Sequence, residues 1–371
     1  MDILNLEELV TDDVSDELRG RMVELLDELK ENHYPNVLTK LYGIYEMDEV
    51  DEKLTDNLKL IEAICHAQIG ESKQASEILR RLFNDNPDLD MLMQIGELAY
   101  ICDYKLARRI MSAAVKQVDE KDIDRIRVAR CYLILGETEE KLDKMTRAIK
   151  YFKQGLTYFE DADERAHHMI LYLHFKIGML YSTQNKEDES VEYLNKVIDM
   201  AGDNEPEMKI RSLVSIAKTY GSMNKSEKVL PYLEEALELL PGSKLENSLA
   251  HAEALTEMAF YYFNESELAE AVPYYKQAIQ MYRKLDYVSH RQIGMIYMQY
   301  AYCLEHKEDE NIRQAADNYE KAIDRLEKAQ DRQLLENALA DVIAFFNAHH
   351  YDKKKRYYED KFVKMSNSYS S

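Results

Sequence analysis

Apolar residues along this chain recur at three- and four-residue spacing, and short polar stretches interrupt them at regular intervals. Strict alternation, the mark of half-buried strands, is missing, so the pattern predicts amphipathic helices from end to end. Near the start, Leu25, Leu26 and Leu29 share one helical face, Val37, Leu38, Leu41 and Tyr42 form a second, and Pro35 marks the turn between them. Hydrophobic residues make up 46% of the chain with only 11 Gly and 6 Pro, too little turn chemistry for many short strands.

The helical pattern repeats itself. One unit reads Ile216-Ala217-Lys218-Thr219-Tyr220, then a polar turn at Asn224-Lys225-Ser226, then Val229, Leu233, Ala236 and Pro241. The next reads Met258-Ala259 and Tyr262, the turn Asn264-Glu265-Ser266, then Ala271, Tyr275 and Ala278. Copies before and after carry Ile177-Gly178 with Tyr181, and Tyr300-Ala301 followed by Ala315, Tyr319 and Ala322. The shared grammar is a small residue on a first helix, usually an aromatic three positions on, a polar turn, then small and large residues on a second helix. Two antiparallel helices approach closely only where side chains are small, and a single pair cannot bury its apolar faces alone.

This grammar resembles the tetratricopeptide repeat (TPR) family. The first-helix small positions fall at Ala63, Gly96, Ala129, Gly178, Ala217, Ala259, Ala301 and, less well, Val342. The resemblance implies an all-α fold: a right-handed superhelical solenoid of antiparallel helix pairs, with about eight repeats. The first-helix Trp of the family pattern is absent, since the chain contains no Trp. The copy around Ala129 carries an insertion through Glu137–Asp143, which predicts a late start for its second helix. The expected organisation is a helical cap over 1–55, a repeat array over 56–365, whose last second helix, with Lys354 and Lys361, faces solvent, and a frayed tail over 366–371.

Charge narrows the partners. Seventy Asp and Glu against 48 Lys and Arg give −22 at pH 7, which opposes sustained contact with nucleic acid or an anionic membrane surface. Linear basic runs are short, such as Lys353-Lys354-Lys355-Arg356, and read as a solvated helix face. No apolar run is long enough to span a bilayer and the first residues are acidic, so a cytoplasmic location is expected. Cys65, Cys102, Cys131 and Cys303 lie far apart and read as small buried hydrophobes.

Candidate chemistry is sparse. There is no Walker loop, G-x-G-x-x-G, H-E-x-x-H or G-x-S-x-G, so neither an enzyme nor a cofactor is expected. His167-His168 and His349-His350 are adjacent pairs that point about 100° apart on a helix, which is poor geometry for sharing a metal. The acidic runs Glu137–Glu140 and Glu308-Asp309-Glu310 read as solvated turns and outer faces.

In the TPR family the first helices line a concave groove, which implies groove candidates near each small position. These are Arg125 and Arg130, Tyr172, Lys176 and Met179, Arg211 and Lys218, then Phe260, Phe263 and Asn264, Met298 and Tyr302, and last Phe346 and Asn347. Such a lining is basic in the middle and aromatic and amide-bearing toward the C-terminus. It suits an extended peptide, with Asn bonding backbone, Met and aromatics taking apolar side chains, and Arg or Lys anchoring a carboxylate. The function expected is a non-enzymatic protein- or peptide-binding adaptor of regulation or assembly. Length and extended repeats also resemble the Rap and NprR-type cytosolic peptide-receptor proteins, which implies the alternative of a peptide-pheromone-responsive regulator acting on a response regulator. A structural scaffold subunit is the other alternative; the ligand and the oligomeric state stay open.

Overall fold

A computed structural model describes residues 15–367, except 48–49, 86, 119–123, 162–165 and 286–287. The first fourteen residues of the expected cap and the last four of the expected tail lie outside the described residues. Every regular element among those described is a helix.

The helices come in antiparallel pairs. The cap pair is α1 (Asp16–Lys30) and α2 (Tyr34–Tyr45). Three pairs follow: α3 (Glu52–Gln68) with α4 (Ser72–Asn84), α5 (Leu89–Cys102) with α6 (Tyr104–Gln117), and α7 (Arg125–Lys141) with α8 (Met145–Glu160). Next come α9 (His167–Thr183), α10 (Glu187–Ala201), α11 (Pro206–Ser222) and α12 (Val229–Leu239). The last three pairs are α13 (Leu249–Asn264) with α14 (Leu268–Tyr282), α15 (His290–His306) with α16 (Ile312–Leu326), and α17 (Arg332–Ala348) with α18 (Asp352–Asn367). The chain divides into two compact units, residues 1–180 and 181–371.

The same local chemistry ends most first helices. Two residues past the helix, a residue sits in the left-handed region: Asn32, Gly70, Asp143, Asn185, Asn224, Ser266 and His350, with φ between 53° and 87°. One residue later, an N–H reaches back to the carbonyl five positions earlier, as in Lys144 to Glu139 (2.8 Å), Lys225 to Tyr220 (3.0 Å) and Tyr351 to Phe346 (2.9 Å). That bond satisfies a terminal carbonyl and turns the chain directly into the second helix. The α5–α6 turn solves the problem differently: Asp103 alone connects the helices, and its side chain caps α6 by accepting from the Lys105 and Leu106 N–H groups.

The small positions carry the packing. Ala63, Ala129, Ala217, Ala259 and Ala301 are all buried to within 1%, and Val342 is fully buried. Close approach is clearest at Gly136 on α7, where an added Cβ would lie 2.3 Å from the Phe152 ring of α8, and at Gly96, where it would lie 2.6 Å from Met111. In the first unit, α1 and α2 pack Leu25, Leu29, Val37 and Leu41 against Leu58 and Ile61 of α3. Tyr42, expected on that apolar face, is instead 53% exposed. In the second unit a continuous core runs from Ala252 through Tyr275, Tyr300 and Tyr319 to Phe346 and Tyr358.

Two further expectations need correction. The segment Glu137–Lys141 is not a solvated turn; it extends α7 by more than a turn, and Glu139 is only 1% exposed. Phe346 does not reach a groove; it is fully buried and stacks on Tyr358 at 5.5 Å. On α18, Tyr357 and Val363 face solvent, whereas Lys354 and Lys361 are half-buried and pair with Glu320 and Glu327 at 3.0 and 2.8 Å.

Candidate functional site

In the first unit the expected basic lining is neutralised from within. Arg125 pairs with Asp161, Arg130 with Glu97 at 3.0 Å, and Lys176 with Glu140 at 2.5 Å. Tyr172 donates its hydroxyl to Glu137 at 2.7 Å, and burial together with that carboxylate pushes the phenol up from its ordinary value. Most of these pairs join first helices of neighbouring repeats, roughly one repeat apart in sequence. Each cation is thereby committed to the protein's own carboxylates before any ligand arrives.

The second unit is more open. Arg211 lies exposed on α11, with no ion pair among the described residues. Lys218, two turns along, faces Glu253 and Glu257 at 3.7 and 3.8 Å. Between α11 and α13 lies a cavity of about 370 Å³, lined among others by Asn224, Glu257, Phe260 and Asn264. Glu257 keeps 20% of its side chain exposed, yet the protein around it strips enough water to push its carboxyl above the usual range, with Lys218 opposing the shift.

That shift carries a prediction. A raised folded pKa stabilises the fold below the carboxyl's ordinary value, and the contribution is lost as pH rises through the folded value. The melting temperature of Glu257→Gln relative to the parent should therefore rise as the pH is raised from mild acid through the folded value. A variant-minus-parent difference that stays constant with pH would show that Glu257 does not titrate as described.

A second cavity, of about 470 Å³, opens between α15 and α17. Phe263, Met298, Tyr302 and Phe345 supply its apolar wall, and Glu305, His306 and Asp341 its polar groups. Glu305 is held in place: it accepts from the Tyr319 hydroxyl at 2.9 Å and lies 3.1 Å from His349 Nε2. Tyr302 stacks on His306 at 4.0 Å. Asp341 has no ion pair among the described residues; its side chain is exposed, and the partial loss of water beside the cavity wall pushes its carboxyl up. The two cavities are joined by rings: Phe260 stacks on Phe263 at 6.5 Å, and Phe263 meets Tyr302 edge-on at 5.6 Å.

The second unit thus brings Lys218, Phe260, Asn264 and Tyr302 to one run of surface. Asn347 stays beside it, accepting from Lys355 Nζ at 2.9 Å. Residue spacing missed Glu257, Glu305, His306 and Asp341. Carboxylates within about a turn of a small position carry the signal for Glu257 and Glu305, but in so acidic a chain they read as solvated charge. Among the described residues no three His, Cys, Asp or Glu side chains are placed to hold a metal ion, and no helix is long and apolar enough to cross a membrane.

Comparison with known proteins agrees with this architecture. Tetratricopeptide repeat models match residues 129–161, 171–204, 210–241 and 251–285. A curated relative, response regulator aspartate phosphatase E of Bacillus subtilis (strain 168), is 25% identical over 226 residues. That match covers 57% of this chain and 59% of the relative's own length. Among solved structures, the apo form of RapI superposes with a TM-score of 0.63 at 12% identity, covering 95% of this chain and 98% of RapI. The apo quorum sensor NprR from B. thuringiensis gives 0.55 at 16% identity, covering 95% of this chain and 100% of that one. Aspartyl phosphate phosphatase F from Bacillus subtilis gives 0.54 at 16% identity, covering 96% of both chains. The chain carries tetratricopeptide repeats and is similar in fold to the Rap and NprR proteins.

Proposed function

We propose that this chain is a regulatory adaptor that binds a peptide or an extended protein segment along the first helices of its second unit. The observation that carries the reading is the pair of cavities on α11–α13 and α15–α17, linked by Phe260, Phe263 and Tyr302. Apolar walls with a few fixed polar groups are the usual composition of a recognition site. Asn224 and Asn264 offer donors and acceptors to a peptide backbone, and Met298 and the rings take apolar side chains. Glu257, Glu305 and Asp341 set the sign of the site. It favours a ligand with a positive group, where the sequence alone suggested a carboxylate anchor.

The test is selection of a random peptide display library on the intact chain, followed by titration of the selected peptides. Asn264→Ala combined with Tyr302→Ala should weaken binding by about tenfold or more, since each removes a contact worth about 1 kcal/mol. Unchanged affinity in the double variant would remove the site from this surface. A second reading, action on a response regulator, rests on the likeness to response regulator aspartate phosphatase E. It predicts that the chain accelerates loss of phosphate from a phosphorylated response regulator; no acceleration across a panel of such proteins would count against it.

A further inference from the structure

We infer that the outer face of α4, α6 and α8 in the first unit is a docking surface for an acidic protein patch, separate from the proposed peptide site. In a chain of net charge −22, these three second helices are basic. Helix α4 carries Lys73, Arg80 and Arg81 against Glu77. Helix α6 carries Lys105, Arg108, Arg109 and Lys116 and no acidic residue. Helix α8 carries Arg147, Lys150 and Lys153, with Glu160 only at its last position. All of these cations are exposed except Arg108, which is half-buried.

Side-chain contacts tie the three helices into one face. Arg80 of α4 reaches Asp103, the cap of α6, at 3.3 Å, and Arg109 of α6 lies over the Phe83 ring of α4 at 5.6 Å. Buried Glu139 stands 3.8 Å from Arg108 of α6 and 3.9 Å from Arg147 of α8. Lys73, Arg81, Lys105, Lys116 and Lys150 have no ion pair among the described residues. Most cations on the first helices of this unit are treated differently: Arg125, Arg127, Arg130 and Lys176 are each matched by an internal carboxylate, Lys141 at the end of α7 being an exception. Most of the unpaired positive charge of the unit therefore lies on these second helices. A recess of about 520 Å³ between α4 and α6 is lined by Ser72, Lys73, Arg80 and Lys105 together with Glu77 and Asp103, so Lys73 and Lys105 are the cations it leaves free for a partner carboxylate.

The occupant follows from what accompanies the charge. Apart from Tyr104 at the start of α6, these helices expose no large apolar side chain, so nothing is available to insert into a bilayer or to stack on bases. A long polyanion would meet the repulsion of the remaining surface, whereas a compact acidic patch contacts only the basic face.

The experiment compares the intact chain with an Arg81→Gln, Lys105→Gln, Lys150→Gln variant, all three at exposed positions without an ion pair among the described residues. The probes are a fluorescein-labelled Glu-Ala repeat peptide, a single-stranded oligonucleotide and phosphatidylserine vesicles of matched charge. The intact chain should prefer the peptide, lose affinity as salt rises, and bind it about tenfold more tightly than the triple variant, while Tyr302→Ala changes nothing. Equal binding by the triple variant overturns the proposal. So does tighter binding of the oligonucleotide or vesicles, or sedimentation at low salt showing that the face is taken by a second copy of the chain.

Discussion

Phe152→Ala should destabilise the first unit by about 3 to 5 kcal/mol, the range for removing a fully buried aromatic from a packed core. Phe152 is 0% exposed and its ring fills the space over Gly136 on α7. The glycine exists for that ring. Gly136→Ala would ordinarily gain about 1 kcal/mol of helix propensity, but overpacking costs about 1 to 3 kcal/mol, and a Cβ 2.3 Å from a rigid ring sets the sign as destabilising. In the double variant the new methyl enters the space the ring vacated. The sum of the two single effects should then exceed the double by about 1 kcal/mol or more, measured by native-state hydrogen exchange of α7 and α8 amides. Strict additivity would mean that Gly136 and Phe152 do not pack as described.

Removing both Arg108 and Arg147 should cost about 3 kcal/mol, the lower end for stranding a buried charge. Glu139 is 1% exposed, and its Oε2 has no hydrogen-bond partner among the described residues. Its two guanidiniums are 34% and 65% exposed, so water screens the attraction and the upper end of the range does not apply. The asymmetry is the test. Arg108→Met with Arg147→Met leaves a carboxylate in a dry site, whereas Glu139→Leu added to that pair removes the stranded charge and should recover most of the loss in urea unfolding. If the triple variant is no more stable than the double, Glu139 is not what those arginines compensate.

The repeat was legible because close helix packing leaves a local record. Ala63, Ala129, Ala217, Ala259 and Ala301 each announce a crossing point from their own neighbours in sequence, and all are buried. Turns were legible for the same reason, since Asn185 and Asn224 occupy the left-handed positions that asparagine tolerates well. Pairing between repeats leaves no such record. Glu137 with Tyr172, or Glu97 with Arg130, is set by the register of one helix pair on the next, which neither segment encodes alone. Hence the groove of the first unit reads as basic in sequence and is neutralised in the fold. Glu139 was hidden by its company: in a run of acidic residues only its position over α8 distinguishes it from solvated neighbours. The basic outer face was missed because its cations are spread over three helices, and a scan along the chain meets them a few at a time.

Recognition along the first helices of the second unit can be read out by hydrogen exchange of the intact chain with and without a selected peptide. Protection confined to α11, α13, α15 and α17, strongest around 257–264, 295–306 and 341–348, is the expected result. Protection on the second helices alone, or confined to the first unit, would contradict it.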